Sequence, residues 1–184
     1  MNSSTWSKSL WTGLVVTAII GGTTVAILSQ QSQNPATLQP TLNAPVERTV
    51  TVYWLESRRN RLVAVPRRIK SLSESSTLRE VLVEMVAQPP REPNLYSAIP
   101  QNTKILNLEV LGQDIRLNLS QEFVGGGGSA TMQGRVIQIL YTTTSLDPGA
   151  RLFLSVEGAP LRTLGGEGLE VKQPMTRNDF ALEF

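Results

Sequence analysis

The sequence contains no cysteine and no histidine. Without cysteine there is no thiol nucleophile, no structural disulfide, no thiolate zinc site and no lipidated cysteine to act as an anchor. Without histidine the commonest general base and the commonest metal ligand are missing together. Most familiar hydrolase chemistries are closed to such a chain, so the expectation is a non-enzyme with no metal and no cofactor. Net charge is also scarce: 17 Lys and Arg against 15 Asp and Glu leave +2, although the pI is about 9.2. Nucleic-acid binding neutralises several phosphates at once, and a nearly neutral domain offers little general attraction of that kind. Nucleic acid is therefore not an expected partner.

What is present describes a chain that folds. Its 184 residues, 40% hydrophobic and 17% charged, have room for one ordinary domain with appendages. Leu10 to Leu28 carries no charge, and as a helix it spans roughly 28 Å, close to the ~30 Å hydrocarbon core of a bilayer. Lys8 precedes this run and no Lys or Arg follows until Arg48, so the positive-inside rule places residues 1–9 in the cytoplasm. The expected localisation is a single-pass protein of the cytoplasmic membrane with its C-terminal domain outside. Thr24-Val25-Ala26 leaves open the alternative of a cleaved signal peptide. Residues 29–46 are uncharged, rich in Gln, Asn and Pro, and without periodicity, which marks a flexible linker. The folded unit is expected over 47–184.

Within it, Val50, Val52 and Trp54 alternate with Thr51, Tyr53 and Leu55, the period of a half-buried strand. A polar turn from Glu56 to Arg61 leads into a second extended segment, Leu62 to Val65, where Pro66 argues for a sheet edge or a bulge. Leu78, Val81, Leu82, Met85 and Val86 form the stripe of an amphipathic helix, with Thr77 and Glu80 fitting a capping box and Pro89-Pro90 ending it. Leu106, Leu108, Val110 and then Ile115, Leu117, Leu119 alternate around Gly112-Gln113, a β-hairpin. Met132, Val136, Ile139, Leu140 and Thr143 form a less perfect helical stripe closed by Asp147-Pro148-Gly149, and Leu152, Leu154 and Val156 give a last strand. The order predicts an α+β fold, a small mixed sheet covered on one face by two helices.

These segments resemble the GerMN domain of sporulation and spore-germination proteins. The likeness rests on Val52-Tyr53-Trp54-Leu55, on Leu62 to Arg68, on the helix running into Pro89-Pro90, and on Ser97 to Lys104. It continues through Leu117 to Phe123, the glycine run, Val136 to Thr144, Arg151 to Leu154 and Glu157-Gly158. The resemblance implies a compact α+β unit similar to ring-building domains, a scaffold role in the cell envelope, and no catalytic residue set to transfer. It also implies differences: the sporulation members are lipoproteins with two such domains, and Gln88-Pro89 stands here where Gly-Pro is expected.

Three places invite a functional reading. Gly125 to Gly128 followed by Ser129 precedes the second helix, but no Lys follows at the spacing a nucleotide loop requires, the chain has no histidine to activate Ser129, and Ala130-Thr131 breaks the Gly-x-Ser-x-Gly pattern, so a flexible loop is expected. Ser120 and Glu122 sit close together, yet Ser120 suits a strand end that caps the next turn. The strongest charge feature is Arg58, Arg59, Arg61, Arg67, Arg68 and Lys70, with only Glu56 near in sequence. Such a cluster suits an anionic polymer, lipid headgroups or an acidic partner; equally, it suits a solvated hairpin tip paired with acids elsewhere in the fold. The expected function is a scaffold or interaction module binding other envelope proteins or its own copies. The alternative is direct binding of peptidoglycan or another anionic wall polymer, and a hydrolase stands behind both.

Overall fold

The first strand, β1 (Val46–Glu56), folds back through the polar turn onto β2 (Leu62–Ser71), the two pairing antiparallel from Val46↔Ser71 to Leu55↔Leu62. The computed structural model describes residues 44–59, 61–88, 90–165 and 168–183. The anchor expected at 10–28 and most of the expected linker lie outside them; among the described residues no helix is long and apolar enough to cross a membrane. β3 (Leu95–Tyr96) pairs with Leu55 and Glu56 on the other side of β1, which gives the order β2-β1-β3. Pro66 lies opposite Thr51 in β2, on the sheet edge that its sequence context predicts. Leu62, in the same phase as Pro66, sends its N–H away from β1 to Leu182 O at 2.9 Å, so the N–H that Pro66 lacks falls on the outer side, where no ladder bond is lost.

α1 (Glu74–Ala87) starts earlier than the Thr77–Glu80 pattern predicts. Ser73 is the N-cap, its hydroxyl accepting from Ser76 N at 3.1 Å, while Thr77 is fully buried and bonds the Ser71 hydroxyl and the Ser73 carbonyl. The Ser-rich stretch supplies a cap one turn upstream, and that frees Thr77 for the core. Leu78, Val81, Leu82, Met85 and Val86 are all buried, as their spacing requires. Gln88 is extended, φ −131° and ψ 139°, the conformation imposed on a residue before proline.

β4 (Ile105–Leu111) and β5 (Asp114–Leu119) form the expected hairpin, turning at Gly112 with φ +61°. A bulge between Ile105 and Asn107 shifts the phase, leaving Leu106 exposed where simple alternation puts it inside. β6 (Arg151–Val156) pairs parallel to β5 and antiparallel to β7 (Ala159–Pro160), giving the order β4-β5-β6-β7. A parallel neighbour needs a crossover, and here it runs through a 3₁₀ turn, Gln121–Val124, and α2 (Ser129–Thr143). β8 (Thr163–Leu164) and β9 (Leu169–Glu170) make a separate two-stranded ribbon.

The single helix-covered sheet expected from the sequence is therefore two sheets. α2 is no surface helix: every residue from Gly134 to Thr143 is buried. Its one charged residue, Arg135, is turned inward. One hydrophobic core joins Val50, Val52 and Trp54 of the first sheet, the apolar faces of both helices, and Ile115, Leu117, Leu152 and Leu154 of the second.

Candidate functional site

Strand geometry divides the basic cluster. Successive side chains point to opposite faces, so Arg67 lies on the helix side of β2, 3.9 Å from Glu84 and 3.7 Å from Glu92. Arg61 pairs with Glu56 at 2.5 Å. Arg67 thus meets acids of other parts of the fold, and Arg61 meets the one acid close to it in sequence. Arg68 and Lys70 are exposed on the opposite face of β2, and Arg58 and Arg59 are exposed in the turn. Among the described residues none of these four makes an ion pair. The sheet separates them further. From the turn to Arg68 the strand runs roughly 25–30 Å at about 3.3 Å per residue. The six residues thus form two free pairs at opposite ends of a hairpin, with two paired arginines beside them.

The glycine run is held from inside. Arg135 on α2 donates through Nε to Ala98 O at 2.9 Å, through Nη1 to Phe123 O and to Gly125 O at 3.1 Å, and through Nη2 to Gly126 O at 3.0 Å. Its guanidinium carbon lies 5.8 Å from the centroid of the Phe123 ring. Burial pulls its pKa below the ordinary arginine value. Gly127, at φ +92°, has no room for a side chain: an added Cβ meets Thr131 Cγ2 at 2.9 Å. The run is therefore a tied loop in which Arg135 fixes the carbonyls, where a flexible one was expected.

A second arginine does the same at the other end of α2. Arg177, in the 3₁₀ turn Arg177–Asp179, donates to Tyr141 O at 2.9 Å, Thr144 O at 3.1 Å and Thr144 Oγ1 at 2.8 Å. The Tyr141 and Thr144 carbonyls are among those that a helix C-terminus leaves without partners. Its guanidinium carbon also lies 4.7 Å from the Tyr141 ring centroid and 5.4 Å from that of Tyr53. The Tyr141 hydroxyl donates to Phe180 O at 2.8 Å, and burial raises its pKa despite the nearby Arg177 charge. The chain thus closes its C-terminal segment onto its central helix.

Ser120 and Glu122 form a structural element. Ser120 occupies the N-cap position of the 3₁₀ turn but makes no capping bond; its hydroxyl accepts from Lys104 N at 2.9 Å. A hydrogen bond from Ser120 is the main cause that lowers the Glu122 pKa, with its own backbone N–H and the Lys104 charge helping. Arg135 and Arg177 escaped sequence reasoning. The available signal for Arg135 was a lone charge inside an otherwise uncharged helical stretch, Ser129 to Thr144; Arg177 carries no comparable mark.

Solved structures that this fold resembles include a putative lipoprotein from Clostridium perfringens, with a TM-score of 0.52 at 17% identity over 72% of this chain and 89% of that one, and two structures of the sporulation protein GerM of Bacillus subtilis. Against its tandem GerMN domains the TM-score is 0.60 at 19% identity, covering 73% of this chain and 48% of that one. Against its first GerMN domain alone the TM-score is 0.56 at 16% identity, covering 72% of this chain and 99% of that one. The chain thus spans about half the tandem structure. No curated protein matches it. The family described as Germane, sporulation and spore germination, matches residues 51–162, which take in both helices and both main sheets, and the chain belongs to that family.

Proposed function

We propose that this domain is a non-catalytic scaffold or protein-interaction module of the GerMN type, held outside the cytoplasmic membrane by the apolar run from Leu10 to Leu28. The observation that carries the reading is the division of labour among the arginines. Those inside, Arg135 and Arg177, are engaged with backbone carbonyls and rigidify the fold. Those outside, Arg58 and Arg59, project from the end of a long hairpin and make no ion pair among the described residues. A rigid body with a projecting cationic tip suits recognition of an acidic surface on another envelope protein or on a second copy. Ser120 supports the same view, since its hydroxyl accepts from Lys104 N and holds that residue to the 3₁₀ turn.

Binding of peptidoglycan or another anionic wall polymer is the second reading, favoured by the exposed Arg68 and Lys70, which extend the cationic surface along the hairpin. Crosslinking in intact cells followed by co-purification of the full chain separates the two. A discrete protein partner, lost on replacing Arg58 and Arg59 by Glu, supports the scaffold. Retention on purified sacculi without any crosslinked protein would replace it with the polymer reading.

A further inference from the structure

The end of the first sheet where the chain enters carries three features together. Val46 begins β1 and is 53% exposed, and Leu72, just past β2, is 63% exposed. The register places Ser71 opposite Val46, Lys70 opposite Glu47 and Arg68 opposite Thr49. Alternation puts Val46 on the helix face of the hairpin and Arg68 and Lys70 on its outer face, so these side chains gather only at the end of the hairpin, where a flat surface would meet them end-on. Arg48 is close as well, but its Nη1 is turned to Ser71 O at 3.0 Å. Two acids share the corner, Glu47 across from Lys70 and Glu74 in the first turn of α1. The other exposed large apolar residues, Val83, Tyr96, Leu106, Leu111 and Leu182, lie on other elements.

We propose that this corner, built from Val46, Leu72, Arg68 and Lys70, is a contact surface for an anionic lipid bilayer. The proposal rests on the membrane-tether reading. Leu28, the last residue of the expected span, is 18 positions before Val46. If those residues form the linker that their composition predicts, they reach about 20–25 Å as a coil. On that reading the tether enters the domain at the corner of Val46, which keeps this corner within reach of the membrane. Exposed aliphatic side chains flanked by basic ones fit the headgroup boundary, where apolar groups leave water and each Lys or Arg gains on the order of 1 kcal/mol from an anionic surface. The hairpin tip is roughly 35 Å away at about 3.3 Å per residue, far beyond a Debye length of ~8 Å. With the corner on the bilayer, Arg58 and Arg59 lie beyond the reach of its field and are free for a partner.

The absence of cysteine permits a direct test with the full chain. Leu72→Cys and, separately, Arg59→Cys are labelled with an environment-sensitive fluorophore and reconstituted into nanodiscs of phosphatidylcholine with or without phosphatidylglycerol. The expected result is a blue-shifted Leu72 label, quenched by nitroxide-bearing lipid in the anionic discs, beside an unchanged Arg59 label. High salt, or R68E with K70E, should lower the contacting fraction by on the order of tenfold. A Leu72 label indifferent to phosphatidylglycerol, or equal quenching at both sites, overturns the proposal. Retention of the chain in the discs under alkaline extraction reports on the tether separately. A chain that is released defeats the tether reading, and the same labels with preformed vesicles then decide the corner: a phosphatidylglycerol-dependent shift at Leu72 supports it and no shift refutes it.

Discussion

Arg177 covers the Tyr141 ring, its guanidinium carbon 4.7 Å from the centroid, and the same side chain donates to the Tyr141 carbonyl at 2.9 Å. One residue thus ends the central helix and fixes the C-terminal segment against it. Three hydrogen bonds to helix-end oxygens and two cation–π contacts stand to be lost in Arg177→Ala, at an expected cost of about 2–4 kcal/mol. Arg177→Lys keeps the charge near the helix C-terminus but not the planar fork, so it should recover only part of this. Chemical denaturation of the two variants checks the order. A loss under about 0.5 kcal/mol for the alanine variant would show that the C-terminal segment is held by other contacts.

At the opposite end of α2, Arg135→Met should cost about 3–5 kcal/mol, because Ala98, Phe123, Gly125 and Gly126 each lose a donor and several of these carbonyls lie away from water. The glycine run should also become the first site of limited proteolysis, since its ties to the helix are gone. Cleavage that still begins elsewhere would mean that the loop holds its shape without Arg135.

Leu82 and Leu106 test how far periodicity carries. Both sit in phase with their neighbours in the sequence, yet Leu82 is fully buried and Leu106 is 43% exposed beyond the bulge. Leu82→Ala should cost about 2–5 kcal/mol and Leu106→Ala within about 0.5 kcal/mol. Equal losses in thermal unfolding would place Leu106 back in the core and remove the bulge.

The features legible in the sequence are those governed by local period and local chemistry: the α1 stripe from Leu78 to Val86, the turn at Gly112, and Pro66 on an edge. What escaped depends on contacts distant in sequence. The parallel pairing of β5 with β6 is set only when α2 packs as their crossover, and nothing local distinguishes Leu152 in a parallel pair from the same residue in an antiparallel one. The burial of α2 was hidden by its threonines and Gln138: Thr143 and the following Thr144 bond carbonyls one turn back, and Gln138 Oε1 accepts from Ala98 N while its Nε2 is buried without a partner among the described residues. The basic cluster was visible as composition, but its division follows from strand alternation combined with the positions of Glu84 and Glu92 on other elements. The glycine run revealed a special backbone and concealed the arginine that holds it.

That division leaves Arg58 and Arg59 as cations whose reversal tests binding without breaking an ion pair among the described residues. Reversing Arg61 places a carboxylate beside Glu56, with which it now pairs at 2.5 Å, and reversing Arg67 places one near Glu84 and Glu92. Either change mixes stability with binding. Arg58→Glu with Arg59→Glu touches neither pair, and both positions are exposed. The double variant should keep the wild-type unfolding midpoint to within about 0.5 kcal/mol. Rim charges act mainly on the association rate and its salt dependence. Losing two cations that face an acidic partner should therefore weaken capture on the order of tenfold or more at low salt, with little difference left at high salt. R68E with K70E should leave partner capture at the tip intact, since those side chains lie at the other end of β2. Binding kinetics of the two double variants against the crosslinked partner, at two salt concentrations, decide the matter. Equal weakening by both would show one continuous anionic-polymer surface, and no weakening by R58E/R59E would remove the tip from recognition altogether.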